Sequence, residues 1–126
     1  YRVSLGHTAL VLDPVLTQGA MIRAEEISKT FSHTRPDGTD CLTAYNNITG
    51  NEIITGSFDV YDDGITKYEN NAAQDAFKRF KRSPGHNAQM LEYNGSLVIP
   101  YSKVGIGVYR GDRTKNESYE WAIVFY

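Results

Sequence analysis

The sequence predicts an α+β domain in which helices cover both faces of a small antiparallel sheet. Two segments that begin with a capping residue and a proline continue with apolar residues at helical spacing. In the tail of the chain, two kinds of residue alternate along the sequence, as is typical of β-strands. The last predicted strand carries apolar residues on both faces. Apolar residues on both faces are typical of a sheet that is covered on both sides. A length of 126 residues fits one domain, predicted to span residues 1–126.

The first strong helix signal is Asp13-Pro14. Aspartate is a good N-cap, and proline suits the first helical position. An apolar stripe follows at helical spacing, formed by Leu16, Ala20, Ala24 and Ile27. This pattern predicts a helix from residue 14 to about 30. Residues 1–4 are predicted to end an earlier helix, which Gly6 stops.

The middle of the chain is less regular. Arg35-Pro36-Asp37-Gly38 is typical of a turn, with the proline at its second position. The segment 39–50 is ambiguous between a loop and a short helix over residues 41–45. A β-rich run over residues 53–61 predicts a strand, and Gly56 is a candidate bulge within it.

A second and a third helix follow closely. Asn71 and Gln74 resemble a capping pair. The apolar stripe that predicts the second helix consists of Ala73, Ala76, Phe77 and Phe80. The last turns of this helix are basic (Lys78, Arg79, Lys81 and Arg82), which suits the helix dipole and indicates a solvated face. Ser83-Pro84 repeats the start signal and predicts a short helix over 84–91.

The tail predicts an antiparallel hairpin. Val104, Ile106 and Val108 alternate with Gly105 and Gly107, and residues 119–126 alternate in the same way. The segment 111–116 between them is rich in turn residues. Glycines on one face of a strand let a helix approach the sheet closely.

Composition excludes several classes of protein. The net charge of −2 argues against a nucleic-acid-binding protein, so no nucleic-acid partner is expected. No apolar run reaches the roughly 18 residues that a membrane span needs. The single cysteine, Cys41, excludes an internal disulfide and a multi-cysteine zinc site, and we expect it to be an inert thiol.

Two of the three histidines are candidates for chemistry. His33 lies just past the first helix, and His86 lies in the first turn of the third, whereas His7 lies in a polar loop and is expected to be solvated. A helix N-terminus keeps an imidazole neutral, and a neutral ring can bind a metal or accept a proton. Ser32 and Ser83 do not lie in the sharp turn of a serine hydrolase, and Ser83 is expected to be an N-cap.

Several segments together resemble the CAP domain family (cysteine-rich secretory proteins, antigen 5 and pathogenesis-related-1), in its disulfide-free bacterial branch. They are Leu10 to Asp13, Arg23-Ala24-Glu25-Glu26, Phe31 to Gly38, Ser83-Pro84-Gly85-His86-Asn87, Val104 to Val108 and Tyr119 to Phe125. The resemblance covers nearly the whole chain. It implies a three-layer α-β-α sandwich, in agreement with the pattern of elements, and a first helix that is largely missing before Tyr1.

The resemblance also implies a cavity lined by two histidines and two acidic residues. The family histidines map onto His33 and His86. The first acid belongs to a Gly-Glu-Asn-Ile segment, and alignment on Ile65 places Asp63 there, with Glu69 as an alternative. Ser83 stands where the second acid would be. The predicted cavity residues are therefore His33, His86, Asp63 and Ser83, with His33 and His86 as candidate zinc ligands and Asp63 as a third.

These residues support two hypotheses of different classes. In the first, the domain is an exported, extracellular or cell-surface binding module with a concave histidine-lined site, for a small-molecule, lipid or protein ligand of unknown identity. In the second, it is a metal-dependent, protease-like hydrolase that uses the same residues. The weak support for a nucleophile or a complete metal site favours the non-enzymatic hypothesis. A third hypothesis is a purely structural domain of a longer surface protein.

Overall fold

The structure is a computed structural model. It describes residues 1–58, 60–61, 68–69, 72–94, 97–98, 100–111 and 118–126. Its helices are α1 (Pro14–Lys29), α2 (Ala72–Arg82) and α3 (Pro84–Met90), with short 3-10 helices at Val3–Leu5 and Cys41–Tyr45. The predicted helices are therefore present, and the ambiguous segment around Cys41 is helical.

Among the described residues, the central sheet contains the strands β1 (Val11–Leu12), β2 (Asn51–Phe58), β7 (Lys103–Gly111) and β8 (Ser118–Phe125). Their order across the sheet is β1-β7-β8-β2. The predicted hairpin is confirmed, because β7 and β8 pair antiparallel with Ile106 opposite Ile123. Strand β2 pairs antiparallel with β8, whereas the two-residue strand β1 lies parallel to β7 at the other edge. Two small ribbons accompany the sheet: β3 (Val60–Tyr61) with β4 (Tyr68–Glu69), and β5 (Tyr93–Asn94) with β6 (Leu97–Val98).

Helix α1 covers one face of this sheet. Asp13 caps it as predicted, since its carboxylate accepts hydrogen bonds from the backbone amides of Val15 and Leu16 at 2.9 and 3.1 Å. The predicted apolar stripe is buried, and it packs against Ile54, Ala122 and Val124. The expected close approach at the β7 glycines is also present. A Cβ atom at Gly107 would lie 2.1 Å from the backbone of Ala20.

Helices α2 and α3 cover the opposite face. The core there contains Ile53, Phe80, Met90, Tyr101 and Phe125. The sequence-based stripe of α2 is only partly correct. Ala73 and Phe77 are exposed, and the buried face is Ala72, Ala76 and Phe80, spaced four residues apart. The exposed Phe77 packs edge-on against the ring of Tyr1 at 5.6 Å, so the N-terminal segment explains an apolar residue off the core face.

The architecture is therefore a three-layer α-β-α sandwich. Strand alternation separates the two cores, because neighbouring residues of β2, such as Ile53 and Ile54, face opposite helical layers. Among the residues that the structure describes, no helix is long and apolar enough to cross a membrane.

Candidate functional site

A buried carboxylate, Glu52, lies at the centre of the candidate site. It belongs to the edge strand β2, on the face toward α1, and its side chain is fully buried. The Nε and Nη2 atoms of Arg23 donate to its two oxygens at 2.9 and 3.2 Å, and the Tyr45 hydroxyl donates to Oε2 at 2.6 Å. The ring nitrogen Nδ1 of His33 lies 2.9 Å from Oε1. Both oxygens of Glu52 are thus engaged within the protein.

The charge of Glu52 is stabilised by a chain of ion pairs. Arg23 on α1 is fully buried, and its Nη1 also binds Glu26 at 2.6 Å. Glu26 in turn binds Arg35 at 2.7 Å, so positive and negative side chains alternate. Burial acts to raise the pKa of Glu52, but the hydrogen bonds from His33, Arg23 and Tyr45 outweigh it and hold the pKa below its ordinary value. Glu52 is therefore ionised at neutral pH.

His33 is positioned by the loop that follows α1. Its backbone carbonyl accepts a hydrogen bond from the Cys41 amide at 3.0 Å, which closes the loop over residues 33–41. The predicted turn lies inside this loop, with Gly38 donating to the Arg35 carbonyl at 2.9 Å. Because Glu52 is ionised, the proton of a neutral His33 ring is assigned to Nδ1, and Nε2 keeps its lone pair. The His33 side chain is half exposed, at 52%.

His86 lies in the first turn of α3, as predicted. The edge of its ring meets Phe80, with centroids 5.4 Å apart. Burial lowers the pKa of His86 from its ordinary value, and the charge on His33 lowers it further. The structure therefore brings the two histidines within electrostatic reach of each other and keeps His86 neutral at neutral pH.

The other predicted site residues have different outcomes. Ser83 is the N-cap residue of α3 by backbone geometry, but within the described chain its side chain makes no capping hydrogen bond. Asp63 lies outside the described residues. The alternative acid, Glu69, lies in strand β4. The assignment of either acid to the site stays a prediction.

Glu52 is the site residue that the sequence analysis did not find. A signal was present, because Gly50-Asn51-Glu52-Ile53 contains the residues of the family's Gly-Glu-Asn-Ile segment with the middle two exchanged. Alignment on Ile65 placed the acid at Asp63 instead. The structure makes Glu52 the acidic partner of His33, whatever the position of Asp63.

A cavity of about 240 Å³ opens beside this carboxylate, lined by His33, Cys41, Glu52 and Gln89 among others. Cys41 is buried, as an inert thiol would be, and burial together with the charges of Glu52 and Asp40 raises its pKa to about 12. The ligating atoms of His33, Cys41 and Glu52 all lie within 4.8 Å of one another, which is close enough to hold a metal ion. The Oε1 atom of Gln89 is buried and has no hydrogen-bond partner among the described residues.

The arrangement favours the orientation of a histidine over general-base catalysis. A carboxylate that accepts four hydrogen bonds and has a lowered pKa is a poor general base. It is well suited to orient a histidine, since carboxylates commonly fix the tautomer of an imidazole whose other nitrogen binds a ligand. The site can therefore present an oriented imidazole on a half-exposed surface.

Comparisons with known proteins agree with this fold. A family model described as the cysteine-rich secretory protein family, CAP, matches residues 1–126. No curated protein matches the chain. An outer surface protein from Borrelia burgdorferi is similar in structure, with a TM-score of 0.63, 22% identity, and coverage of 98% of this chain and 81% of that one. An extracellular protein with an SCP domain from Bacillus anthracis str. Ames has a TM-score of 0.64 and 19% identity over 98% of this chain and 36% of that one.

The two solved structures support the predicted fold, and the family match supports the assignment of the chain to a family. It spans every residue from 1 to 126, including the segments that hold His33, Glu52 and His86. This chain belongs to the CAP family of cysteine-rich secretory proteins.

Proposed function

We propose that this CAP domain is an extracellular binding module whose ligand meets the imidazole rings of His33 and His86. The two structural neighbours, an outer surface protein and an extracellular protein, support the location. Membership of the family supports the class of domain. The chemistry of the site supports ligand binding over catalysis.

The observation that carries the proposal is the fully buried Glu52, which holds Nδ1 of His33 at 2.9 Å. Arg23 and Tyr45 fix this carboxylate in turn. The ring of His33 is therefore pre-oriented. Its Nε2, which has no hydrogen-bond partner among the described residues, can accept a hydrogen bond or bind a metal. Pre-orientation lowers the entropy cost of binding a ligand.

Zinc is the metal that two imidazole ligands suit best in this proposal. His33 through Nε2 and His86 would hold it, with Asp63 as a third ligand and one position open. Bound zinc would act as a Lewis acid toward a ligand oxygen. The half-exposed His33 and the neutral state of His86 both suit this role, because imidazole binds metals in its neutral form.

Zinc calorimetry near neutral pH tests the site. Folded wild-type protein should bind zinc, and His33→Ala and His86→Ala should each weaken binding about tenfold or more, whereas His7→Ala serves as the matched control and should not. Asp63→Asn should weaken binding only if Asp63 is the third ligand. A folded wild type that does not bind zinc would contradict the zinc site.

The same protein separates a binding module from a hydrolase. Zinc-loaded wild type should not digest casein above the rate of a His86→Ala control. Digestion that requires both His33 and His86, with a pH-dependent rate, would replace the binding-module proposal with the hydrolase hypothesis.

A further inference from the structure

We propose that His33, Cys41, Glu52 and Gln89 form a second cation site, which takes a thiophilic divalent ion such as cadmium or zinc. It uses Nδ1 of His33, whereas the proposed function above uses Nε2 of the same ring. The inference does not depend on His86 or on that function. Its ligands come from separate parts of the fold, namely the loop after α1, the start of the Cys41–Tyr45 helix, strand β2 and helix α3.

The loop over residues 33–41 supplies two ligands in a fixed relation. The Cys41 amide donates to the His33 carbonyl at 3.0 Å, and Thr34 and Asp40 form an isolated antiparallel bridge. Gly38 has a φ of +84°, a left-handed conformation that glycine adopts without strain, and it closes the turn. The side chains of residues 33 and 41 are thus held side by side before any ion binds.

Glu52 supplies an oxygen that can change partner at little cost. Its Oε2 atom has the shorter bonds, to Arg23 Nε and to the Tyr45 hydroxyl, and these anchor the carboxylate. Its Oε1 atom bonds to His33 Nδ1 at 2.9 Å and to Arg23 Nη2 at 3.2 Å. An ion between Oε1 and Nδ1 would replace the hydrogen bond to His33 and leave the anchor intact.

The spacing of the three ligating atoms suits a soft ion. Bonds of about 2.0 to 2.3 Å to a tetrahedral zinc place its ligand atoms roughly 3.3 to 3.7 Å apart. The atoms here lie within 4.8 Å of one another, and Nδ1 and Oε1 are 2.9 Å apart. Side-chain movements of about 1 Å are therefore sufficient. Thiolate and imidazole together select soft or borderline ions over calcium and magnesium.

Gln89 provides an independent indication of a ligand. Its Oε1 atom is buried in the wall of the same cavity and has no partner among the described residues. A buried acceptor without a donor costs about 1 to 3 kcal/mol, and either a cation or a water bound to one would satisfy it. The charge balance also suits a cation, because the carboxylates of Glu26, Asp40 and Glu52 outnumber the guanidinium groups of Arg23 and Arg35.

Proton balance defines what binding does. The Cys41 thiol loses one proton to solvent and binds as a thiolate. To bind the ion through Nδ1, His33 carries its ring proton on Nε2 instead of Nδ1. His33 Nε2 then becomes a hydrogen-bond donor instead of an acceptor. Occupancy of this site would therefore oppose zinc binding at the His33–His86 site.

Cadmium binding to the whole chain tests the inference. One equivalent of cadmium should give the ultraviolet thiolate-to-cadmium charge-transfer band and a one-to-one calorimetric isotherm at neutral pH. Cys41→Ser should abolish the band, and His33→Ala and Gln89→Leu should each weaken binding about tenfold or more. His86→Ala should retain the band and the affinity while losing the zinc binding proposed above. With these variants, failure of the cadmium site can be distinguished from failure of the proposed zinc site at His33 and His86.

Several outcomes would overturn the inference. Folded wild type without a band at one equivalent of cadmium would do so. Equal cadmium affinity in wild type, His33→Ala and Gln89→Leu would show a lone thiol rather than a built site. Trp121 fluorescence and circular dichroism establish that each variant is folded. His7→Ala is the control for the loss of a histidine outside the cluster.

Discussion

Glu52 is the residue on which the candidate site depends most. Its carboxylate joins α1, the Cys41–Tyr45 helix, the loop after α1 and β2 through hydrogen bonds to Arg23, Tyr45 and His33. A single fully buried carboxylate thus stabilises the fold and orients the histidine. Removing any one of its partners leaves a buried polar group unsatisfied, and that cost exceeds the net gain from forming the bond.

Arg23→Met should lower the free energy of unfolding by about 3 to 5 kcal/mol, because it leaves Glu52 buried without its cation. Urea denaturation measures the change. Lys29→Met is the matched control, since Lys29 also pairs with a glutamate at 2.9 Å but is 66% exposed. The control should cost less than about 1 kcal/mol. Equal losses in the two variants would refute the importance of the buried pair.

Acid should destabilise the protein through Glu52. Its folded-state pKa lies below the ordinary value of 4.5, so its contribution to stability is present above that value and is lost as the pH falls through the folded pKa. Glu26 shifts in the same direction. Urea unfolding should therefore give a first decline in stability below about pH 6.5, because the pKa of His86 is also lowered by burial, and a further decline below about pH 5 from Glu52 and Glu26. Glu52→Gln should be less stable at neutral pH and decline less steeply, and an unchanged slope would exclude Glu52 as a source.

The proximity of the two histidines can be measured directly. Proton NMR titration of the imidazole rings should give His86 a pKa below its ordinary value of 6.5. His33→Ala should raise this pKa only in part, because burial is the larger cause and the charge on His33 is the smaller one. A His86 titration that does not respond to His33→Ala would mean that the rings are not in electrostatic reach.

Among the elements, α1 and β7 pack closely against each other. Gly105 and Gly107 have no side chains, so the backbone of α1 at Leu16 and Ala20 rests directly on the strand.

Gly107→Ala should destabilise the protein by about 1 to 3 kcal/mol or more, because the added methyl group would meet helix backbone that cannot rotate away. Gly56→Ala is the control. Its Cβ would come no closer than 3.2 Å to the tip of the flexible Glu120 side chain, and a small effect is expected. Thermal denaturation compares the two, and a tolerant Gly107 would contradict the close approach.

The whole molecule should unfold as one unit. The strands β7, β8 and β2 carry both cores, and the two helical layers cover opposite faces of the same sheet. Loss of either helical layer would expose the apolar face that it covers on the shared sheet. Far-UV circular dichroism and Trp121 fluorescence should report the same midpoint, since the indole donates to Ser57 at 2.7 Å within the sheet. Two separate transitions would contradict the prediction of a single domain over residues 1–126.

Local signals in the sequence were sufficient for most of the fold. The Asp13 cap, the turn ending at Gly38 and the alternation of β7 and β8 all act between residues that are close in the chain. Such signals also placed His33 and His86 on the right elements. The stripe of α2 was partly wrong because helical spacing does not show which of two overlapping stripes faces the sheet. The burial of Ala76 and Phe80 in the core distinguishes them, and Phe77 instead meets Tyr1.

The chemistry of the site was decided by tertiary structure. Glu52 meets Arg23 and His33 across 29 and 19 residues, and no spacing rule predicts such pairs. The same is true of the cluster that joins His33 and Glu52 to Cys41, and of Gln89, which reaches their cavity from α3. Caps, turns and strand alternation depend on neighbours along the chain, so one sequence shows them. Burial and pairing of charged groups depend on which elements pack together, and only the folded chain defines that.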